Sequence, residues 1–217
     1  MGNPEIDGPT SGSLPGPPLI FVLGGPNGAG KTTCAMKLLP RELKLKQFVN
    51  ADLIAQGLSP LDPEGAALEA GRKMLERIHG LAERHESFAF ETTLASRSFA
   101  TFLSRQRDRG YAIHVGYVWI PSADMSVERV RERKHRGGHW VDEETVRRRY
   151  ERGLRNFVEL YAPLADSWVL CDNSAPELRL VALGGKELRT VVLDEQTYTL
   201  ILRNVPPWPL KKRQFKA

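Results

Sequence analysis

Gly25-Pro26-Asn27-Gly28-Ala29-Gly30-Lys31-Thr32 fits the pattern G-x-x-x-x-G-K-[ST] at every position. That spacing suits chemistry on phosphates. Glycines let the backbone take angles that a Cβ forbids, so that several N–H groups converge on one anion. Lys31 is placed to reach β- and γ-phosphates, and the Thr32 hydroxyl is an oxygen ligand of the kind Mg²⁺ takes. The flanks agree with this reading. Leu19 to Leu23 is a short apolar run that reads as a buried strand. Cys34 to Leu39 reads as a helix that Pro40 helps to end. A strand, a glycine loop and a helix put N–H groups at a helix N-terminus, where a phosphate can sit. Residues Gly25, Pro26, Asn27, Gly28, Ala29, Gly30, Lys31, Thr32 and Thr33 are therefore the expected nucleotide-binding set. The bland alternative is a glycine-rich turn with a chance Lys-Thr, which the flanking strand and helix leave unexplained.

Phosphoryl transfer needs a phosphate cradle, a metal, a group to orient the attacking atom, and positive charge for the transition state. Three further segments offer the last two. Asp52 ends the short run Phe48-Val49-Asn50-Ala51, read as a second strand. It is a candidate to accept a proton from an acceptor hydroxyl; the alternative is a turn cap. Glu91 follows Phe88-Ala89-Phe90, a third strand. It could hold acceptor hydroxyls, help to order the metal, or pair with a nearby arginine. Arg129, Arg133 and Arg136 share one helical face beside Gly137-Gly138, a lid that such a pair would let hinge. Arginine suits a lid because its fork binds phosphate oxygens in pairs and stays charged. The five histidines show no metal-ligand spacing.

The elements that must position these groups alternate. Asp62-Pro63-Glu64 reads as a helix start, and Ala67, Gly71, Met74, Ile78 and Leu81 recur at helical spacing. A helix is expected over Ser98 to Arg109, stopped by Gly110. Tyr111 to Ile120 is the longest strand candidate, apolar on both faces as in a buried parallel strand. A second helix beyond Gly137-Gly138 carries the stripe Val146, Tyr150, Leu154 and Phe157, with Arg148, Arg152 and Arg155 on another face. Trp168 to Cys171 is a fifth strand. Arg179 to Leu183 and Leu188 to Leu193 read as a β-hairpin around Gly184-Gly185, and Thr197 to Arg203 as one more strand. Strands alternating with helices imply a parallel sheet with right-handed crossovers, and ligands bind outside the carboxyl ends of its strands. Lys31, Asp52 and Glu91 all fall just past strand ends.

The chain of 217 residues suits one α/β domain with a sizeable core. No apolar run approaches a membrane span. The N-terminus has no basic region followed by an apolar one, and Ile6 breaks the myristoylation pattern. Cys34 and Cys171 are expected to be buried free thiols, and a reducing cytoplasm is the expected setting. The net charge is +5, and residues 129–155 alone hold ten basic and five acidic residues, an excess equal to that of the whole chain. Such a segment suggests an anionic partner, phosphates on a small molecule or a nucleic acid, against the alternative of a solvated helical face. No interleaved aromatic platform accompanies it, which argues against single-stranded nucleic acid.

The combination of GGPNGAGKTT, NAD at Asn50 to Asp52, FETTL at Phe90 to Leu94, RVRERKHRGGHWV and VRRRYERGLRNF resembles the zeta toxin family of P-loop kinases, in its shorter GGH form. The resemblance covers about Leu19 to Phe157. It implies a nucleoside-kinase-like P-loop fold with five parallel strands in the order 2-3-1-4-5. It implies transfer from ATP, with Mg²⁺, to the 3′-hydroxyl of the sugar in UDP-N-acetylglucosamine or a related UDP-sugar. It also implies a small helical antitoxin that blocks the ATP site. Residue by residue, Lys31 and Thr32 match the Walker residues, Thr32 holding Mg²⁺. Asp52 matches the general base. Glu91 and Thr93 match residues that hold the sugar, with Arg97 and His139 also assigned to the substrate. Arg133 matches the first lid arginine; Arg136 and His139 are both candidates for the second. Asp142 stands where GGH-type relatives often carry Pro.

The sequence reading is therefore a small-molecule kinase. Residues 1–18 are expected to form a flexible tail, 19–203 a P-loop kinase domain with a lid at 129–155 and a hairpin region at 177–203, and 204–217 a basic tail. The rival readings are an antibiotic-inactivating P-loop phosphotransferase and a nucleic-acid-binding P-loop NTPase.

Overall fold

The computed structural model describes residues 16–41, 43–135, 141–203 and 205. Strand β1 (Leu19–Gly24) lies at the centre, with Ile20 and Val22 wholly buried. It pairs in parallel with β3 (Phe88–Thr92) on one side and β4 (Ala112–Trp119) on the other. Strand β2 (Phe48–Val49) lies outside β3, and β5 (Ser167–Asp172) outside β4, both parallel. The order 2-3-1-4-5 is thus the one expected. Strands β6 (Arg179–Gly184) and β7 (Val191–Val192) extend it antiparallel, giving seven strands in the order β2-β3-β1-β4-β5-β6-β7. Arg179 at the head of β6 pairs with the buried Asp172 at the end of β5.

Helices cover both faces, as a sheet of continuous apolar strands requires. On one face Cys34, Ala35 and Leu39 of α1 (Lys31–Arg41) pack against Leu23, Ala89 and Val118. On the other, α3 (Ala67–Glu83) contributes Met74, Ile78 and Leu81, and α4 (Ser98–Asp108) contributes Leu103. Leu154 of α6 (Glu143–Asn156) joins the same core, with Phe157, Val158 and Tyr161 of the π-helical turn that continues it into the short helix α7 (Ala162–Leu164). Helix α5 (Ala123–His135) meets α6 through Val127, Val130, Val141 and Val146. No described helix is long and apolar enough to cross a membrane.

Three expectations are corrected. The strand expected over 48–52 stops at Val49, because Asn50 caps a helix, α2 (Ala51–Leu58), that reads as loop in the sequence. Helix α3 begins at Ala67 rather than at Asp62; the Asp62 carboxylate instead accepts the Gly65 N–H at 3.0 Å and closes a turn. Residues Glu195–Arg203 form a helix, α8, not a strand. Asp194 starts it by accepting the Thr197 N–H at 2.9 Å, and Tyr198 and Ile201, three apart, are its buried residues. The cysteines are free, Cys34 buried and Cys171 half-buried. The expected tails lie largely outside the described residues.

Candidate active site

The phosphate loop sits at the carboxyl end of β1. Gly25, Gly28 and Gly30 have φ of 142°, 74° and 84°, conformations that L side chains rarely adopt. Its outer side is clamped. The Ser126 hydroxyl of α5 donates to the Asn27 carbonyl at 2.5 Å, and Asn173, just past β5, donates its amide to the Ala29 carbonyl at 2.8 Å. The Arg129 guanidinium donates to the carbonyls of Asn173 and Ser174 at 2.9 and 3.3 Å. Of the three arginines expected on a lid face, Arg129 is therefore fastened to the loop after β5. Arg136, Gly137, Gly138 and His139 lie outside the described residues.

Lys31 opens α1 and is 6% exposed. Its ammonium donates to the Pro26 carbonyl at 2.9 Å and lies 3.6 Å from Glu91 Oε1. Burial pulls its pKa below the usual lysine value, while the negative charges of Glu91 and Asp52 oppose that shift. Thr32 donates its hydroxyl proton to Glu91 Oε2 at 2.7 Å. Asn50 Nδ2 donates to the same oxygen at 2.7 Å. Glu91 thus faces the phosphate loop rather than an arginine.

Asp52 lies in the first turn of α2, where a carboxylate complements the helix dipole. Its Oδ2 is 3.4 Å from Nη1 of Arg133, the last-turn arginine of α5. Arg149 of α6 is half-buried; burial lowers its pKa, and the charge of Asp52 opposes the shift. Arg133 of α5 thus meets Asp52 directly, while Arg149 of α6 is near enough to feel its charge; the sequence reading did not single out Arg149. Thr93 lies where α6 touches the β3 edge: a Cβ on Gly153 would stand 2.3 Å from the Thr93 carbonyl, so only glycine fits. Leu94, buried at φ 57°, turns the chain there, and Asn156 Nδ2 donates to its carbonyl at 2.8 Å. Arg97 is exposed at the start of α4, and Thr33 is exposed on α1.

The structure thus gathers Lys31, Thr32, Asp52, Glu91 and Arg133 at one sheet edge, with Arg149 and Thr93 beside them. Asn50, Ser126, Arg149 and Asn173 are the residues that sequence reasoning gave no role. Their signals were weak: an Asn ahead of a carboxylate, a Ser in a helix start, one arginine of a run of three, and an Asn past a strand end.

A family profile described as "AAA domain" matches residues 20–160, which contain every one of these residues except Asn173. The chain belongs to the AAA_33 family. This AAA_33 chain is 29% identical over 126 residues to an uncharacterised protein of Haemophilus influenzae, covering 58% of this chain and 88% of that one. Its fold is similar to AvrRxo1-ORF1:AvrRxo1-ORF2 structures solved with sulphate ions and with ATP. For the first the TM-score is 0.66 at 18% identity, over 85% of this chain and 63% of the matched one. For the second it is 0.66 at 17% identity, over 86% and 64%. The chain therefore spans less than two thirds of those matched chains. It is also similar to a structure of the PezAT chromosomal toxin-antitoxin system of Streptococcus pneumoniae, with a TM-score of 0.52 at 16% identity over 75% of this chain and 71% of that one. The fold of this AAA_33 chain is α/β and P-loop kinase-like, with a mixed sheet of seven strands.

Proposed function

We propose that this AAA_33 chain is an ATP- and Mg²⁺-dependent small-molecule kinase that phosphorylates a hydroxyl of a nucleotide sugar such as UDP-N-acetylglucosamine. The observation that carries the proposal is the convergence of Lys31, Thr32, Asp52 and Arg133 at the carboxyl ends of three parallel strands. The kinase reading needs that convergence; the nucleotide-sugar acceptor rests on the FETTL and GGH resemblance.

The phosphate loop and Lys31 bind and orient the β- and γ-phosphates. The donor set fits Mg²⁺: the Thr32 hydroxyl donates its hydrogen bond to Glu91 and accepts a long one from Asn50, which leaves a lone pair for a hard cation, and Glu91 adds carboxylate oxygen nearby. Bound there, the ion would neutralise charge that develops on the phosphate oxygens. Asp52 orients the acceptor hydroxyl and takes its proton as the oxygen attacks the γ-phosphorus, whose bond to the β–γ bridging oxygen breaks so that ADP leaves. Arg133 leaves Asp52 for the transferring phosphoryl group and Arg149 adds its charge nearby, where both count most in the transition state. Thr93 sits beside Glu91 at the end of β3 and is assigned, with Arg97, to the acceptor. A small helical antitoxin that covers the nucleotide site is proposed as a partner, in keeping with the fold's likeness to the PezAT structure.

The test is to incubate the full chain with ATP, Mg²⁺ and a panel of nucleotide sugars, and to follow each by mass spectrometry. Gain of one phosphate by a nucleotide sugar, absent with Lys31→Ala, supports the reading. No gain by any acceptor in the panel, with ATP bound, overturns the nucleotide-sugar assignment.

A further inference from the structure

Asn50 is 4% exposed and makes hydrogen bonds in two directions. Its Oδ1 accepts the N–H groups of Asp52 at 2.7 Å and Leu53 at 3.1 Å, which makes it the N-cap of α2. Its Nδ2 donates to Glu91 Oε2 at 2.7 Å and lies 3.3 Å from Thr32 Oγ1. The orientation of the amide follows from its surroundings. Turned over, it would set its NH₂ against two N–H groups and its oxygen against a carboxylate.

Capping a helix uses only an acceptor, and Ser, Thr or Asp serve as well as Asn. The second set of contacts needs a donor on the same group, at a reach that only the amide supplies here. The bonds therefore form one path. Lys31 Nζ faces Glu91 Oε1 at 3.6 Å, and Glu91 Oε2 holds both the Thr32 hydroxyl and the Asn50 amide. The Asn50 oxygen in turn fixes the backbone of Asp52 itself. A buried network in which each polar group has its partner holds its members rigidly.

We propose that Asn50 is a positioning residue that ties the helix carrying Asp52 to the phosphate side of the site. Occupancy at Lys31 and Thr32 then fixes Glu91, Glu91 fixes the Asn50 amide, and the amide fixes the first turn of α2. Asp52 is held in place at the moment when Arg133 exchanges its carboxylate for phosphate. The proposal rests on the reading of Asp52 as the base, but its direct test needs no acceptor.

The test compares the wild-type chain with Asn50→Ser and Asn50→Asp by hydrogen–deuterium exchange over residues 51–58, with and without Mg²⁺ and a non-hydrolysable ATP analogue. Both variants keep a cap. Asn50→Ser falls short of Glu91, and Asn50→Asp sets a second carboxylate against it. In the wild type, nucleotide should slow exchange of α2 by about tenfold or more. In Asn50→Ser nucleotide should bind within about threefold of wild type and the melting temperature should hold, while the response of α2 is lost. In Asn50→Asp the response should be lost as well, with a lower melting temperature because two carboxylates face each other at a buried site. On the true acceptor, at saturating Mg²⁺ and acceptor, kcat should fall about tenfold with KM for ATP unchanged, and Glu91→Gln added to Asn50→Ser should lower kcat little further, because the two act on one path. A wild-type response of α2 in either variant overturns the proposal, as does an unchanged kcat. An α2 response that needs Asn50, in a protein that phosphorylates no acceptor, supports the tether and overturns the kinase reading alone. Failure of the wild type to bind nucleotide overturns both.

Discussion

Asp52 and Arg133 are 81 residues apart in the chain, and their carboxylate and guanidinium meet at 3.4 Å. One lies in the first turn of α2 and the other in the last turn of α5. Their side chains are 43% and 36% exposed, so the pair gains little from being made and costs little to exchange. An incoming phosphate competes for the same guanidinium. The arrangement keeps Arg133, the proposed lid arginine, beside the proposed base until substrate charge arrives.

Asp52→Asn keeps the shape of the side chain and its place in the first turn of α2, and it removes the proton acceptor. ATP binding should stay near wild type, and transfer should fall about a hundredfold or more. Titration of a fluorescent ATP analogue and steady-state kinetics on the true acceptor measure the two separately. Retention of most turnover would put the base elsewhere, with Glu91 next to be tested.

Arg133→Ala and Arg149→Ala should each lower kcat more than they weaken ATP binding, because lid charge acts mainly on the transition state. A loss of about tenfold to a hundredfold in kcat is expected for each. If Arg149→Ala left kcat unchanged, its closeness to Asp52 would be electrostatic bystanding, and the second lid arginine would be sought at Arg136.

Lys31→Ala should abolish transfer while the fold survives, since the ammonium points to the loop and Glu91 rather than into the apolar core. Circular dichroism should match wild type. Full activity in this variant would end the kinase assignment.

Glu91→Gln removes a charge from between Lys31 and Thr32. It should raise the Mg²⁺ concentration needed for half-maximal rate by about tenfold, together with the acceptor KM. A change in acceptor KM alone, with the Mg²⁺ requirement unmoved, would assign Glu91 to the sugar and not to the phosphate side.

Asp142 caps α6 by accepting the Thr145 N–H at 2.8 Å, and that bond holds its carboxyl below the usual aspartate pKa. A group whose folded pKa is depressed stabilises above its unfolded pKa and loses that effect as pH falls through the folded one. Asp142→Ala should therefore lower the melting temperature at neutral pH, and the gap from wild type should narrow as pH falls below the ordinary aspartate range. Asp142→Pro should keep the backbone geometry, because the φ of −60° at this position is one that proline imposes. A gap that persisted unchanged in acid would mean that the carboxylate does not cap the helix.

The phosphate loop was legible from sequence because its chemistry is local. Gly25 to Thr32 must be contiguous to wrap an anion, so the spacing carries the site. Most strands were legible for a similar reason: short apolar runs of three to ten residues between helical patterns have few other homes. Even the 2-3-1-4-5 order followed from the motifs through the resemblance they carry. The place where β2 ends and the helix α2 were not legible, because one polar cap is a weak signal after a short apolar run. Helix α8 was misread as a strand for a related reason: Thr197 to Arg203 has β-branched residues, and only contact with the sheet decides which face is buried. Above all, the partners of the charged groups lay beyond the sequence. Glu91 had three readings by spacing alone, and its contacts with Lys31, Thr32 and Asn50 exist only because β1 and β3 run side by side. Arg129 and Arg133 are alike in composition, yet one clamps the loop after β5 while the other meets Asp52. Local chain chemistry determined what could bind phosphate. The packing of α2, α5 and α6 around that loop decided which charges meet there, because interactions across tens of residues depend on distance in space and not along the chain.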